Sequence, residues 1–318
     1  MKDSFGREVN YLRLSITDRC NLRCKYCMPE AGIDKLNHDS ILTLEEIDEI
    51  VSTFVDLGVN KVRITGGEPL VRKGIISLIE KISRHSKITD LALTTNGIHL
   101  KEMAKRLKEA GLTRVNISLD SLDAKKYAMM TRGGKLQDVL EGIEMAKQVG
   151  LTPIKLNVVL IGGFNENEVE RFVALTKDEA IDVRFIELMP IGEVATWSLE
   201  NFLSNEYVLE KVPSLMKITS SDYGSPAVYY SLPGGKGRVG LISPISCKFC
   251  DTCNRIRLTS EGQLKYCLHS NEEFDLRTIL RENGSLKELI KYSISQKPLE
   301  HSIEQGNFIS RNMVQVGG

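Results

Sequence analysis

From Asn10 to about Met189, short β-rich runs alternate with longer stretches of helical periodicity, and this repeat constrains the fold more than any other feature of the chain. Repeated βα units give parallel strands, because each strand is reached through a helical crossover. The pattern predicts strands at Tyr11–Thr17, Lys61–Thr65, Asp90–Thr95, Arg114–Leu119, Pro153–Leu160 and Asp182–Met189. Six such strands are too few to close an eight-stranded barrel. One crossover helix is well marked: Thr43 and Glu46 have capping-box spacing, and Ile47, Ile50, Val51, Phe54 and Val55 share a face. After Pro190 the alternation stops, and turn-rich segments such as Pro233–Gly237 and Ser243–Ser246 follow. A change of architecture is therefore expected between Met189 and Glu200.

Side chains two apart on a strand share a face, and here the polar ones keep to one parity. Arg13, Ser15 and Thr17 lie opposite Leu12, Leu14 and Ile16; Lys61, Arg63 and Thr65 lie opposite Val62 and Ile64. Arg114, Asn116 and Ser118, then Lys155 and Asn157, repeat the pattern. The apolar face must pack on helices, so the polar face points inward and lines a cationic cavity suited to a polyanion. An open sheet with one solvated face satisfies the same parity.

With 42 Lys plus Arg against 42 Asp plus Glu, no net charge drives binding to nucleic acid or a membrane. No apolar signal core and no long apolar run is evident, so a cytoplasmic, non-membrane protein is expected. In that setting the seven cysteines read as metal ligands or redox groups rather than disulfides. Six fall into two groups of three: Cys20, Cys24 and Cys27, then Cys250, Cys253 and Cys267. Each is one thiolate short of closing an iron–sulfur cluster, which leaves an iron open to a small molecule. Structural zinc needs a fourth ligand, for which His38 is the nearest candidate in the first group. In the second, Cys247 forms a competing C-x2-C-x2-C run with Cys250 and Cys253.

The C-x3-C-x2-C spacing at Cys20–Cys27, directly after the first strand, resembles the signature of the radical S-adenosylmethionine (radical SAM) superfamily, as does the Gly66-Gly67-Glu68-Pro69 turn after the second. Nearly the whole chain resembles the GTP 3′,8-cyclase family of molybdenum cofactor biosynthesis. That match includes Arg63–Pro69, Thr94–Gly97, Ser118–Asp120, Arg184–Glu187, Asn254–Arg257 and the final Gly317-Gly318. The resemblance implies an α/β fold: an incomplete (β/α)6 TIM-like barrel of the radical SAM type at residues 1–190, with a carboxyl-terminal region, 191–318, carrying a second iron–sulfur cluster. It implies two [4Fe–4S] clusters, on Cys20, Cys24 and Cys27 and on Cys250, Cys253 and Cys267, with Cys247 outside the ligand set.

By the same resemblance, Tyr26, Gly67, Ser118 and Met189 fall where SAM is contacted. Arg13, Arg63, Lys155, Arg255, Ile256 and Arg257 fall where GTP is contacted, with Thr94 nearby and Lys61 and Arg184 as further triphosphate candidates, and Arg suits phosphate through its planar fork. Arg255, Arg257, Gly317 and Gly318 are the expected catalytic set, the diglycine entering the active site. The implied reaction is reductive cleavage of SAM, removal of the ribose 3′ hydrogen of GTP by the 5′-deoxyadenosyl radical, and closure onto guanine C8 at the second cluster. Implied partners are a low-potential donor such as ferredoxin or flavodoxin and, by product hand-off, the next enzyme, cyclic pyranopterin monophosphate synthase; a homodimer is compatible with the resemblance. The competing enzyme is a two-cluster radical SAM peptide modifier, and the non-enzymatic competitors are an electron carrier and a zinc-stapled binding module.

Overall fold

The computed structural model describes residues 1–34, 36–219 and 224–317. The alternating region folds as six parallel strands, β1 (Tyr11–Ser15), β2 (Lys61–Thr65), β3 (Asp90–Thr95), β4 (Arg114–Ser118), β5 (Ile154–Leu160) and β6 (Ile181–Glu187). Each ends within two residues of its sequence expectation. Between them run α1 (Leu44–Asp56), α2 (Ile75–Ser83), α3 (Leu100–Glu109), α4 (Ala124–Thr131) and α5 (Leu136–Gln148), with α6 (Val169–Asp178) between β5 and β6. The α1 capping box forms: Glu46 N donates to Thr43 Oγ1 at 3.1 Å and Thr43 N to Glu46 Oε2 at 2.8 Å. Ile47, Ile50, Val51, Phe54 and Val55 of that helix are buried.

After Met189 come α7 (Ala195–Glu200), α8 (Glu206–Lys211), β7 (Met216–Ile218), β8 (Ala227–Ser231), β9 (Val239–Ile242), β10 (Arg255–Leu258), β11 (Gln263–Lys265) and β12 (Phe274–Asp275). Three helices follow, α9 (Leu276–Arg281), α10 (Leu286–Ser295) and the single turn α11 (Met313–Val316). These strands extend both edges of the same sheet, in the order β12-β11-β10-β1-β2-β3-β4-β5-β6-β9-β8-β7. At the junctions, β10 is parallel to β1 and β9 is parallel to β6.

The apolar parity packs outward on the helices: Leu12, Leu14, Val62, Ile64, Leu91, Val115, Leu156, Val183 and Ile256 share one core with α1–α6. The polar parity faces the other way, and the sheet curls around it. Arg63 on β2 and Arg184 on β6 stand four strands apart, about 19 Å in a flat sheet. Yet the charge of Arg63 is among those that act on Arg184, which places the two closer than a flat sheet would and so requires curvature.

Candidate active site

The two cysteine groups sit at opposite ends of one strand pair. Cys20, Cys24 and Cys27 follow the carboxyl end of β1, whereas Cys253 precedes β10, parallel to β1, and Cys267 follows β11, antiparallel to β10. The length of β1, about 16 Å, lies between the two ends.

The first loop is held by its neighbours. Arg23 N donates to Thr131 O and Lys25 N to Met130 O at 3.1 and 3.0 Å, and Arg132 Nη1 reaches the carbonyls of Arg23 and Met28 at 2.9 and 3.1 Å. The Gly66-Gly67-Glu68 turn packs against this loop, Gly67 N donating to Thr17 O and Glu68 N to Arg19 O at 2.7 and 2.8 Å. A Cβ on Gly67 would lie 2.4 Å from Arg19 O, so glycine there makes room for protein backbone. Buried Glu68 ties the turn to the end of β3, accepting from Leu70 N, Thr95 Oγ1 and Asn96 N at 2.9, 2.8 and 2.7 Å. Burial pushes its carboxyl up to about 7.

Burial raises the Cys20 thiol to about 11 and, with repulsion from Cys20, the Cys27 thiol to about 12; it also raises Cys24, with Cys27 and Asp120 adding to the rise. The charges that raise Cys24 are those of Cys27, Asp120 and Cys20, so holding these sulfurs together as thiolates takes a positive charge of the kind a metal supplies. Three soft sulfur donors with that deficit fit an iron–sulfur cluster. Among the described residues, no three His, Cys, Asp or Glu side chains converge on one single-metal position. A four-iron cluster instead spreads its thiolates over separate irons. His38 is exposed in a short 3-10 turn.

In the second group the charges acting on Cys250 include those of Cys267 and Cys253, while Cys247 is exposed. Burial opposes ionisation of Cys253, but the neighbouring cations Arg255 and Lys297 outweigh it and bring the thiol down to about 6. Its loop is pinned by buried Glu187, which accepts from Ile245 N and Ser246 N at 3.0 Å each and from Ser246 Oγ.

Between the groups lies a row of cations. The register puts Arg257, Arg13 and Arg63 side by side on β10, β1 and β2, with Arg255, Tyr11 and Lys61 in the next row. Lys155 and Arg184 face them from β5 and β6. Burial lowers Arg257 to about 10, with Arg255 and Arg63 adding repulsion, and lowers Arg184 to about 10, with Arg63 adding to it. Lys155 falls to about 7 through burial and the Arg184 and Arg114 guanidiniums. Two inward-facing acids are already taken: Asp90 by Arg114, at 3.0 and 2.7 Å, and Asp182 by Arg238, at 3.0 and 2.6 Å. Among the described residues Arg184 bonds only neutral amides, Asn157 Oδ1 at 2.6 Å and Asn116 Oδ1 at 2.9 Å. Arg63 Nε and Thr94 Oγ1 are buried with no hydrogen-bond partner among the described residues.

The chain's last turn enters this space. Gly317, in the left-handed region at φ 74°, packs so closely on Ser15 and Thr65 that a Cβ would lie 2.9 Å from each, and its carbonyl accepts from Arg257 Nη1 at 3.1 Å. The Val314 amide donates to the Cys27 sulfur. Two anchors hold the turn: Asn312, paired with Glu193 through Glu193 N at 3.1 Å and Glu193 Oε1 at 2.9 Å, and Arg311, bound to Glu261 and, at 2.7 Å, to Glu273. Gly318 lies outside the described residues.

Tyr26, Gly67, Ser118 and Met189 come to one rim, the carboxyl ends of β1, β2, β4 and β6. Tyr26 is oriented by its hydroxyl, which donates to Asp120 Oδ2 at 2.8 Å, and Met189 packs with Ile309 and Val316. Ile256 has the outward parity; its side chain belongs to the core, so only its main chain is available to a ligand. Sequence reasoning gave no role to Glu68, Glu187, Lys297, Arg311 or Asn312. The two glutamates stand in the Gly66–Pro69 and Arg184–Glu187 motifs, and a lone acid beside small or apolar residues is their signal in the sequence.

The radical SAM superfamily profile matches residues 14–176, and that of Molybdenum Cofactor Synthesis C matches residues 181–303. The chain is 58% identical over 317 residues to the GTP 3′,8-cyclase of Peptoclostridium acidaminophilum, covering 99% of this chain and 98% of that one. It is 56% identical to the GTP 3′,8-cyclase of Alkaliphilus metalliredigens, with complete coverage of both. Among solved structures, Streptococcus suis SuiB bound to its precursor peptide SuiA superposes with a TM-score of 0.60 over 97% of this chain and 76% of that one. At 14% identity that likeness concerns the fold alone. No described helix is long and apolar enough to cross a membrane. By full-length identity and by both profiles, the chain belongs to the radical SAM superfamily and, within it, to the GTP 3′,8-cyclase family.

Proposed function

We propose that this chain converts GTP to 3′,8-cyclo-7,8-dihydro-GTP, the opening step of molybdenum cofactor biosynthesis. The observation that carries the reading is the inward row of buried, mutually repelling cations between two cysteine triads, which calls for a polyanion. When bound, SAM and the first cluster supply the 5′-deoxyadenosyl radical that takes the ribose 3′ hydrogen.

The chain's own residues position, orient and shield. Cys20, Cys24 and Cys27 hold the first cluster, and Tyr26, Gly67, Ser118 and Met189 surround SAM at the rim. Arg13, Arg63, Arg257, Lys61, Lys155 and Arg184 bind the triphosphate, with Thr94 donating its unpartnered hydroxyl. Cys250, Cys253 and Cys267 hold the second cluster at the guanine end, where Arg255 stands over the Phe249 ring at 4.8 Å. Gly317 closes the space above the arginine row and keeps water from the reacting carbon. A low-potential carrier such as ferredoxin or flavodoxin supplies the electron, and the next enzyme of the pathway receives the product. Both act where no membrane segment is required.

Full-length identity favours this reading over a peptide modifier, since the peptide-bound structure shares only the fold. The test is anaerobic incubation of reconstituted protein with SAM, reductant and GTP, followed by mass spectrometry. A GTP-derived cyclic isomer that requires both SAM and reductant is expected; SAM cleavage that leaves GTP intact would overturn it.

A further inference from the structure

Lys297 lies two residues beyond α10 and is 4% exposed. Its Nζ donates to two main-chain carbonyls, Arg255 O at 3.1 Å and Tyr266 O at 2.6 Å. No carboxylate among the described residues pairs with it. Lys265, similarly buried, shows the usual solution in the same region: its ammonium pairs with Glu273 at 3.0 Å. A buried ammonium left with carbonyl dipoles is costly unless another negative charge stands near. The end of α10 offers only part of that compensation, through its carbonyl dipoles.

The two acceptors show where the remaining charge lies. Arg255 stands two residues after Cys253, and Tyr266 directly precedes Cys267, so Lys297 clasps the segments that bring these two cysteines together. It is close enough to act on the charge of the Cys253 sulfur. The other cations here are differently engaged. Arg7 donates to Cys250 O at 2.7 Å but is neutralised by Asp3 at 2.6 Å, and Arg255, which lies over the Phe249 ring, also donates from its side chain to the Cys253 sulfur. Glu272 and Glu273 turn to Tyr266 Oη and to Lys265 and Arg311.

We infer that Lys297, beside Arg255, is a built-in counter-charge of the cluster held by Cys250, Cys253 and Cys267, a positioning residue that raises that cluster's reduction potential by stabilising the more negative, reduced state. The inference rests on the reading of these cysteines as cluster ligands. A fixed positive charge in a low-dielectric setting favours added electrons, as hydrogen bonds and net charge do at such clusters generally.

The test is potentiometric titration, followed by electron paramagnetic resonance, of full-length protein in which Cys20, Cys24 and Cys27 are replaced by Ala, so that only the second cluster reports. Lys297→Gln keeps a hydrogen-bond donor and removes the charge; Lys297→Arg keeps the charge. With iron content equal in all three proteins, the midpoint potential is expected to fall in Lys297→Gln and to stay near that of Lys297 in Lys297→Arg. Equal potentials in the Gln variant and its parent would overturn the inference, as would equal loss of iron from both variants, which marks a merely structural clasp. Absence of iron from the parent itself would instead overturn the ligand reading beneath it.

Discussion

Lys155 offers a quantitative test of the cationic cavity, because its charge is poised to respond to a ligand. Burial and the Arg184 and Arg114 guanidiniums bring its ammonium down to about 7, while the arginines around it stay protonated. A triphosphate bound beside it restores the charge, so binding takes up a proton. With the free-state value near 7, about half of the protein carries the charge at pH 7 and about one part in thirty at pH 8.5. GTP affinity should therefore fall about sixteenfold across that interval, about 1.6 kcal/mol at 1.36 kcal/mol per pKa unit. Phosphate, with a second pKa near ≈6, is ionised throughout and adds little slope. Calorimetry with GTP alone, without SAM, in buffers of different ionisation enthalpy reads both affinity and proton uptake. Lys155→Met should bind more weakly at pH 7 and lose the slope. Stability should move the opposite way: the folded-state value lies below the unfolded 10.5, so the unfolded chain holds more protons between the two and stability rises with pH. A flat affinity profile in the unsubstituted protein, or the same slope in Lys155→Met, would refute the reasoning.

Three further outcomes follow from particular contacts. Gly67→Ala places a Cβ 2.4 Å from Arg19 O; overpacking of this kind costs about 1–3 kcal/mol, and thermal unfolding at a lower Tm, with iron lost from the first site, is expected. Cys247→Ser should keep the full complement of about eight irons, whereas Cys267→Ser should lose about half; equal loss in both would restore Cys247 to the ligand set. Arg311→Ala removes the ion pairs to Glu261 and Glu273. Because these groups are partly exposed the cost is modest, about 1–2 kcal/mol, but the amides of 313–317 should exchange faster with deuterium; unchanged exchange would show that Asn312 suffices as the anchor.

Much of the architecture was legible because its determinants are local and periodic. Alternation along β1, β2, β4 and β5 identified the strands and which side chains face inward, and Thr43 with Glu46 marked the start of α1. What sequence could not show was the pairing of β9 and β10 with the two edges of the six-stranded sheet. Each is four residues long, and its partner is chosen by contacts more than fifty residues away, with no local signal. That pairing aligns Arg257 with Arg13 and places the second cysteine group at the far end of β1. Parity included Arg114 among the inward cations, but Asp90 neutralises it, and a salt partner on a neighbouring strand is invisible to spacing. Lys297 and Arg311 went unread for the same reason: each gains meaning only from what surrounds it after folding.

The central proposal is that GTP lies with its ribose within reach of the radical generated at the first cysteine group. Anaerobic turnover with GTP deuterated at C3′, with mass analysis of the 5′-deoxyadenosine released, tests this most directly. Deuterium in the 5′-deoxyadenosine is the expected result; 5′-deoxyadenosine free of deuterium, formed while GTP is consumed, would contradict it.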